Sequence, residues 1–140
     1  MPVRNAEANW NGGLKDGKGD FKTGGGIGGQ YSFGSRFESG VGSNPEELIG
    51  AAHAACFSMA LSAGLGKNGF NPQKVHTTAA VSIEKVGEGF KITKIALNTQ
   101  ATVPGIDNAK FQEIATATKA GCPVSQALSA TPIELTAKLV

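Results

Sequence analysis

The stretch SNPEELIGAAHAACFSMALSAGLGKNGF, residues 43–70, predicts a long helix in the middle of the chain. Asn44 is a favourable N-cap residue, and Pro45 suits the first helical position. Glu46 and Glu47 follow in the first turn, where the helix dipole favours carboxylates. With Asn44 as the N-cap, Glu47 occupies the third position and can reach back to the backbone as in a capping box. These signals together predict that a helix starts at about Pro45.

The same helix should end near Lys67, because Gly69 can adopt the left-handed conformation that terminates helices. Between these limits the sequence is apolar almost all round and has no wide polar face, which predicts a buried helix. Its many alanines would allow another helix to approach closely. We therefore expect this helix to lie at the centre of the fold.

Strands are predicted on both sides of the helix. Residues 12–35, GGLKDGKGDFKTGGGIGGQYSFGS, alternate short apolar pieces with glycines and indicate three short strands joined by turns. After Pro72 the apolar residues alternate with period two on both sides of GEG, residues 87–89, which is typical of an antiparallel hairpin.

The last third of the chain adds helices and a final strand. Asp107 or Asn108 can cap a second helix, which Gly121 ends. Cys122 then lies at or next to the N-cap of a short helix, and Pro123 is its first residue. PIELTAKLV closes the chain as a strand. This order of elements predicts an α+β fold without a repeated βαβ pattern.

Length and charge restrict the possible classes of protein. A chain of 140 residues with 40% apolar content predicts one compact domain, residues 1–140. Thirteen basic residues against eleven acidic ones give a charge of +2, which offers no electrostatic case for nucleic acid or an anionic membrane. MPVRNAEANW has no apolar leader segment, and we expect no uncharged run of about 18 apolar residues, the length that a membrane helix needs. The expectation is a soluble, cytoplasmic protein.

The two cysteines have three possible explanations. A persistent structural disulfide is disfavoured in a reducing compartment, so each thiol could simply be a small buried hydrophobe. Cys56 could also bind a metal together with His53, three residues earlier, and with Cys122 and His76 as further ligands, although this spacing lacks the close pairs of structural zinc sites. The third explanation is a redox pair, and the absence of a CxxC motif disfavours a thioredoxin-type site.

Several motifs in this chain resemble the OsmC/Ohr family of thiol peroxidases, in its osmotically inducible protein C branch. The motifs are NPEELIGAAHAACFSMAL at 44–61, AGCPVSQAL at 120–128, GKG at 17–19, SRFE at 35–38, ITKIAL at 92–97 and VPGID at 103–107.

The resemblance implies a bacterial antioxidant and stress-response enzyme that reduces organic hydroperoxides to alcohols. It implies an α+β fold whose antiparallel sheets pack around a long central buried helix in an intertwined homodimer, with the active sites at the subunit interface. The resemblance also implies that no metal or bound organic cofactor is required. The reductant would be an external dithiol, for which the family suggests a lipoylated protein.

The family's four functional positions all have counterparts in this chain. By resemblance, Cys56 is the reactive cysteine and Cys122 is the resolving cysteine. Arg36 and Glu46 correspond to the family's arginine and glutamate. Without the resemblance, Arg36 would be interpreted as a solvated charge on a strand and Glu46 as a first-turn carboxylate.

Helix position and resemblance disagree about which thiol is reactive. A thiol at a helix N-terminus gains thiolate character, which favours Cys122, whereas burial in mid-helix raises the pKa of Cys56. Cys56 can therefore attack only if a cation stabilises its thiolate, the role that the resemblance gives to Arg36. Glu46 lies ten residues before Cys56, roughly 15 Å along the helix, and cannot reach it. A second, antiparallel copy of the helix could bring Glu46 near the partner's thiol, where it would orient Arg36 through a bidentate ion pair.

The remaining candidate residues are assigned mainly structural roles. His53 could tune the thiol, but we favour a structural role for it, and His76 is expected at the surface. The aromatic residues are expected mostly in the core, although some could line an apolar pocket suited to a bulky hydroperoxide: Trp10, Tyr31, Phe33 and Phe37. The alternative function is a noncatalytic small-molecule binding module in which both thiols are merely packed.

Overall fold

The computed structural model describes residues 1–140 and divides them into two compact units, residues 1–48 and 49–140. Its elements are β1 (Ala6–Asn11), β2 (Lys18–Thr23), β3 (Gly28–Tyr31), α1 (Phe33–Phe37), α2 (Pro45–Lys67), β4 (Lys74–Val86), β5 (Gly89–Thr102), α3 (Asn108–Gly121), α4 (Pro123–Ala127) and β6 (Ile133–Leu139). The mixed α+β architecture and the order of the main elements agree with the prediction.

The first unit contains an antiparallel sheet in the order β1-β2-β3. The short helix α1 follows this sheet and was not predicted from the sequence. Ser32 caps α1 through reciprocal hydrogen bonds with Ser35, which offset the poor helix propensity of Gly34. Arg36 lies on this helix, so its interpretation as a strand charge is wrong.

The start of α2 follows the predicted capping with one difference. The backbone N–H of Glu47 donates to Asn44 Oδ1 at 2.8 Å, so Asn44 is the N-cap. The carboxylate of Glu47 accepts instead from two side chains, Asn44 Nδ2 at 3.0 Å and Ser43 Oγ at 3.1 Å. The Glu47 carboxylate therefore accepts from side chains at this helix start, in place of the backbone N–H that the capping box predicts.

The end of α2 also agrees with the prediction. Gly69 has a φ of +84°, the left-handed conformation that residues with a side chain rarely adopt. The N–H of Phe70 then returns to the carbonyl of Leu65 at 3.0 Å, which satisfies one of the last free carbonyls of the helix.

Within the second unit, helix α2 is buried on one side only. His53, Phe57, Leu61 and Leu65 are fully buried. On the opposite side Met59 is 79% exposed, and the neighbouring Ala55 and Ala63 are also exposed. The prediction of an all-round buried helix therefore holds for one side of α2 within a single chain.

The expectation that no segment matches a membrane helix was wrong for α2. This helix is long enough to cross a membrane, and its most apolar window has a mean hydropathy of 1.6. Residues 48–66 of this helix include His, Ser and Gly but no Asp, Glu, Lys or Arg. Core helices of water-soluble proteins meet the same criteria, so length and composition alone are weak evidence for a membrane span.

The second unit contains a sheet in the order β4-β5-β6. β4 and β5 form the predicted hairpin, which turns at Gly87 and has an irregularity between Ser82 and Ile83. β6 runs parallel to β5, because the α3 and α4 segments carry the chain back across the sheet before β6 begins. The sheet is therefore mixed, because β5 pairs antiparallel with β4 and parallel with β6. The sequence pattern of the final strand did not predict the direction in which it runs.

Helix α3 is the predicted second helix, capped by a hydrogen bond from the Lys110 N–H to Asp107 Oδ1 at 2.8 Å. It ends at Gly121, and Cys122 forms the junction with α4. The buried core of this unit combines apolar residues of α2, β5 and α3: Phe57, Leu61, Leu65, Ile95, Leu97, Ala101, Phe111, Ile114 and Ala115.

Candidate active site

The two cysteines of the chain lie next to each other in the second unit. Their sulfurs are 3.1 Å apart, and both thiols are free. Cys56 is in the middle of α2 and partly exposed, whereas Cys122 is 1% exposed between α3 and α4. The fold thus brings together two thiols that are far apart in the sequence, as a redox pair requires.

The surroundings of the two sulfurs favour opposite protonation states. Burial and a hydrogen bond with Cys122 raise the pKa of the Cys56 thiol, which a backbone interaction at Val124 only partly offsets. Burial also opposes ionisation of Cys122, but the backbone N–H groups of Ser125 and Val124, the Cys56 thiol and the Ser125 hydroxyl together lower its pKa. Within this unit the more acidic thiol is Cys122, as the position at a helix start predicts.

A buried histidine lies behind Cys122. The His53 ring is fully buried, and its Nε2 is 2.7 Å from Ser125 Oγ. Its Nδ1 has no hydrogen-bond partner, and burial lowers the pKa of the ring below its ordinary value. Ser125, the serine of the CPVS motif at 122–125, was not predicted to have a role in the site. The spacing of three residues between His53 and Cys56 could not reveal a partner 72 positions away.

The metal site considered from the sequence has no geometric support. No three His, Cys, Asp or Glu side chains lie close enough together to hold a metal ion. His53 contacts Ser125, and His76 is an exposed residue of β4, as expected. The residues weighed as ligands therefore do not form one site.

In the first unit, Arg36 and Glu46 form the expected ion pair. Arg36 Nη2 donates to Glu46 Oε1 at 2.8 Å, and its Nε lies 3.1 Å and 3.3 Å from the two carboxylate oxygens. The Glu46 side chain is only 7% exposed, against 35% for Arg36. Two nitrogens of the planar guanidinium thus hold one carboxylate, which fixes the orientation of Arg36.

The aromatic residues of the first unit line a pocket of about 240 Å³ rather than a sealed core. The Trp10 and Tyr31 rings are 5.4 Å apart, and the Phe33 and Phe37 rings are 5.0 Å apart. Gly19, on β2, pairs with both Trp10 and Tyr31, so the two rings close over a residue without a side chain. The full lining is Trp10, Leu14, Tyr31, Ser32, Phe33, Arg36 and Phe37.

The pocket corrects the interpretation of these aromatic residues as mainly core. They are all partly exposed, and together with Leu14 they form an apolar wall that includes the positively charged Arg36. The sequence gave no signal for Leu14, which lies in a turn. A pocket of this kind can hold an apolar group beside a cation.

Residues 38–138 match the family model described as OsmC-like protein. The chain belongs to the OsmC family.

Two curated relatives extend this result. The chain is 56% identical over 129 residues to "Peroxiredoxin OsmC" of Escherichia coli (strain K12), and the alignment covers 91% of this chain and 90% of that protein. It is 34% identical over 89 residues to "Organic hydroperoxide resistance protein" of Xanthomonas axonopodis pv. citri (strain 306), and the alignment covers 63% of this chain and 61% of that protein.

Solved structures show that this OsmC-family chain has the fold of its relatives. The organic hydroperoxide resistance protein OhrB of Bacillus subtilis superposes with a TM-score of 0.71 at 24% identity, covering 97% of this chain and 98% of that chain. An OsmC-like protein from Mycoplasma pneumoniae superposes with a TM-score of 0.77 at 15% identity, covering 99% of this chain and 98% of that chain. These identities are low, so the likeness concerns the fold.

Proposed function

We propose that this chain is a thiol-dependent peroxidase that reduces organic hydroperoxides to alcohols through Cys56 and Cys122. The observation that carries the proposal is the pair of free thiols with sulfurs 3.1 Å apart. The names of the two curated relatives, a peroxiredoxin and an organic hydroperoxide resistance protein, support the same class of reaction.

The first step is attack of the Cys56 thiolate on the terminal oxygen of the hydroperoxide. A sulfur–oxygen bond forms while the oxygen–oxygen bond breaks, and the leaving alkoxide takes a proton to become the alcohol. Cys56 is left as a sulfenic acid. Its partial exposure supports this assignment, because the substrate must reach the attacking sulfur, whereas Cys122 is almost completely buried.

Cys56 needs a cation to act as a thiolate, because its immediate surroundings raise the pKa of the thiol. Arg36, oriented by Glu46, is the candidate. Glu46 and Cys56 are ten residues apart on the continuous helix α2, about 15 Å along its axis. We therefore propose that the cation and carboxylate come to each thiol from a second copy of the chain.

The homodimer that this arrangement requires has a suitable surface. Met59, Ala55 and Ala63 form an exposed apolar strip on α2, and small side chains allow two helices to approach closely. Burying such a strip against its own copy would remove apolar surface from water on both chains.

The pocket beside Arg36 supports an organic substrate. Its walls are aromatic and aliphatic, so an alkyl or aryl group would leave water on entering it. Hydrogen peroxide has no such group and would gain nothing from the pocket. The preference for organic hydroperoxides should therefore appear mainly in the apparent affinity for the substrate.

The second half of the cycle restores the thiols. Cys122 condenses with the sulfenic acid to form a disulfide and water, and an external dithiol then reduces this disulfide by thiol–disulfide exchange. We propose a cytoplasmic enzyme with a lipoylated protein as the electron donor.

The test is a titration of the reduced protein with cumene hydroperoxide, followed by counting free thiols and measuring cumyl alcohol. We expect one equivalent of peroxide to remove both thiols and to yield one equivalent of alcohol. Cys56→Ser and Cys122→Ser serve as controls. Unchanged thiols in the native protein would contradict the peroxidase and favour the noncatalytic binding module.

A further inference from the structure

A buried histidine and a buried serine lead from α2 towards the sulfur of Cys122. His53 Nε2 lies 2.7 Å from Ser125 Oγ, and Ser125 is the third residue after Cys122 at the start of α4, where its hydroxyl lowers the pKa of the Cys122 thiol. His53 is 0% exposed and Ser125 is 4% exposed, so water does not compete for these contacts. The reaction described above gives neither residue a role.

The direction of the hydrogen bonds follows from the partners available. His53 Nδ1 has no partner, and a buried N–H without an acceptor is costlier than a lone pair without a donor. The proton therefore belongs on Nε2, which donates to Ser125 Oγ. The Ser125 hydroxyl then has its own proton free to donate to Cys122, and a donor at this position stabilises a thiolate.

We propose that His53 and Ser125 are positioning residues for the resolving step, and that they hold Cys122 as an oriented thiolate facing Cys56. This inference rests on the proposed function, because it concerns the second half of that cycle. The Cys122 sulfur attacks the Cys56 sulfenic sulfur, so that a sulfur–sulfur bond forms and the sulfur–oxygen bond breaks. Cys122 is oxidised and Cys56 is reduced, while the departing hydroxide takes up one proton, equal to the one that Cys122 gave up when its thiolate formed, and leaves as water.

A role in resolution predicts a separation of the two chemical steps. Removing the hydrogen bond to a charged sulfur should slow disulfide formation by about tenfold or more. Peroxide attack by Cys56 should not slow, because neither residue contacts the Cys56 sulfur and because Cys122 in its thiolate form raises the pKa of Cys56, an effect that the substitutions would relieve. A purely structural role for His53 and Ser125 would instead alter both steps or neither.

The experiment is a single turnover with one equivalent of cumene hydroperoxide, in which peroxide loss and disulfide formation are timed separately by rapid quenching and mass spectrometry. Ser125→Ala and His53→Leu should accumulate the Cys56 sulfenic acid, which dimedone traps. His53→Gln should recover most of the resolving rate, because its amide nitrogen can donate to Ser125 from nearly the same place. Ser58→Ala is the matched control, since it removes a hydroxyl of α2 that bonds Thr77 instead.

Disulfide formation at the native rate in both Ser125→Ala and His53→Leu would overturn the proposal. Equal slowing of both steps would also overturn it. If His53→Leu does not fold, Ser125→Ala and His53→Gln decide the matter. Absence of peroxide consumption by the native protein would instead remove the proposed function, and diamide-driven disulfide formation would still compare the Cys122 reactivity of the variants.

Discussion

Cys56 occupies mid-helix, where it gains no help from a helix terminus, whereas Cys122 lies at the start of α4, where neighbouring groups of that helix lower the pKa of its thiol. The difference suits a division of labour in which the accessible thiol meets the peroxide and the buried thiol resolves the product. Replacing each cysteine by serine should therefore stop the reaction at a different step.

Cys56→Ser should abolish peroxide consumption, because an alcohol remains un-ionised near neutral pH and cannot replace a thiolate. Cys122→Ser should react once and then stop, because its sulfenic acid has no partner thiol in the same chain and proceeds to sulfinic acid. Mass spectrometry after one equivalent and after excess peroxide checks both results. Appreciable turnover by Cys56→Ser, or sustained normal turnover by Cys122→Ser with a dithiol reductant, would contradict the assignment.

The second prediction concerns Arg36. Arg36→Ala should raise the pKa of Cys56 and slow its attack at neutral pH by about tenfold to a hundredfold, with part of the rate recovered at higher pH. Arg36→Lys should restore little, because an ammonium group cannot hold the Glu46 carboxylate with the same planar geometry. Single-turnover rates and the pH dependence of thiol alkylation provide the measurement.

The exposed Arg4 supplies a matched control for this experiment. Arg4→Ala removes the same charge from the same unit without breaking an ion pair to Glu46, and it should behave like the native protein. Native profiles in Arg36→Ala itself would mean that another cation activates Cys56.

Some features of these site residues could be predicted from the sequence and others could not, for physical reasons. Capping signals at Asn44 and the position of Cys122 at a helix start follow from local backbone chemistry, so they could be predicted. The contact between His53 and Ser125 depends on how distant segments pack, and no local pattern encodes it. The roles of Cys56 and Arg36 came from resemblance alone, and they stay predictions.

At the scale of elements, the packing of α2 against α4 buries a titratable ring. Burial lowers the pKa of His53 below 6.5, whereas in the unfolded chain it is close to that value. Below about pH 6.5 the His53 ring of the unfolded chain therefore binds a proton more readily than the buried ring of the folded chain. Stability is fully present above the unfolded pKa and is lost as the pH falls through the folded pKa, by up to about 1.4 kcal/mol per pH unit.

His53→Gln should remove this contribution. Between pH 7 and pH 5, roughly two units around the ordinary pKa of histidine, the free energy of unfolding of this variant should therefore decline less steeply than that of the native protein. Chemical denaturation at several pH values gives the slopes. His76→Gln, at an exposed position of β4, is the control and should keep the native slope. Identical slopes for all three proteins would mean that His53 is not the group responsible.

Strand and helix positions were largely predictable, but α1 and the direction of β6 were not. Helix α1 has only five residues, too few for a periodic apolar pattern, and Ser32 was its only sequence signal. The alternation along β6 specifies which residues share a side of the sheet, and it is the same for parallel and antiparallel pairing.

For the whole molecule, the exposed strip on α2 predicts an obligate homodimer. Met59→Lys should place a charge in the proposed helix contact and shift the protein towards monomer, with loss of peroxidase activity. Val86→Lys places the same charge at an exposed apolar residue of the β4–β5 hairpin instead of on α2, and it should leave the dimer intact. Light scattering and activity at micromolar concentration test both variants. A stable, active native monomer would remove the shared-site proposal.

Gly19 lies between Trp10 and Tyr31 at the pocket of the first unit, and a Cβ there would stand 2.5 Å from Tyr31 and 2.7 Å from Trp10. A single methyl group must therefore push the two rings aside, which would reshape the pocket that we propose for the substrate. Gly19→Ala should reduce the preference for cumene hydroperoxide over tert-butyl hydroperoxide and change the fluorescence of Trp10, the only tryptophan. Gly89→Ala, with open space around its Cβ, should change neither. An unaltered preference in Gly19→Ala would argue that the substrate binds elsewhere; an altered one would make β2 a place where selectivity can be tuned without touching a reactive group.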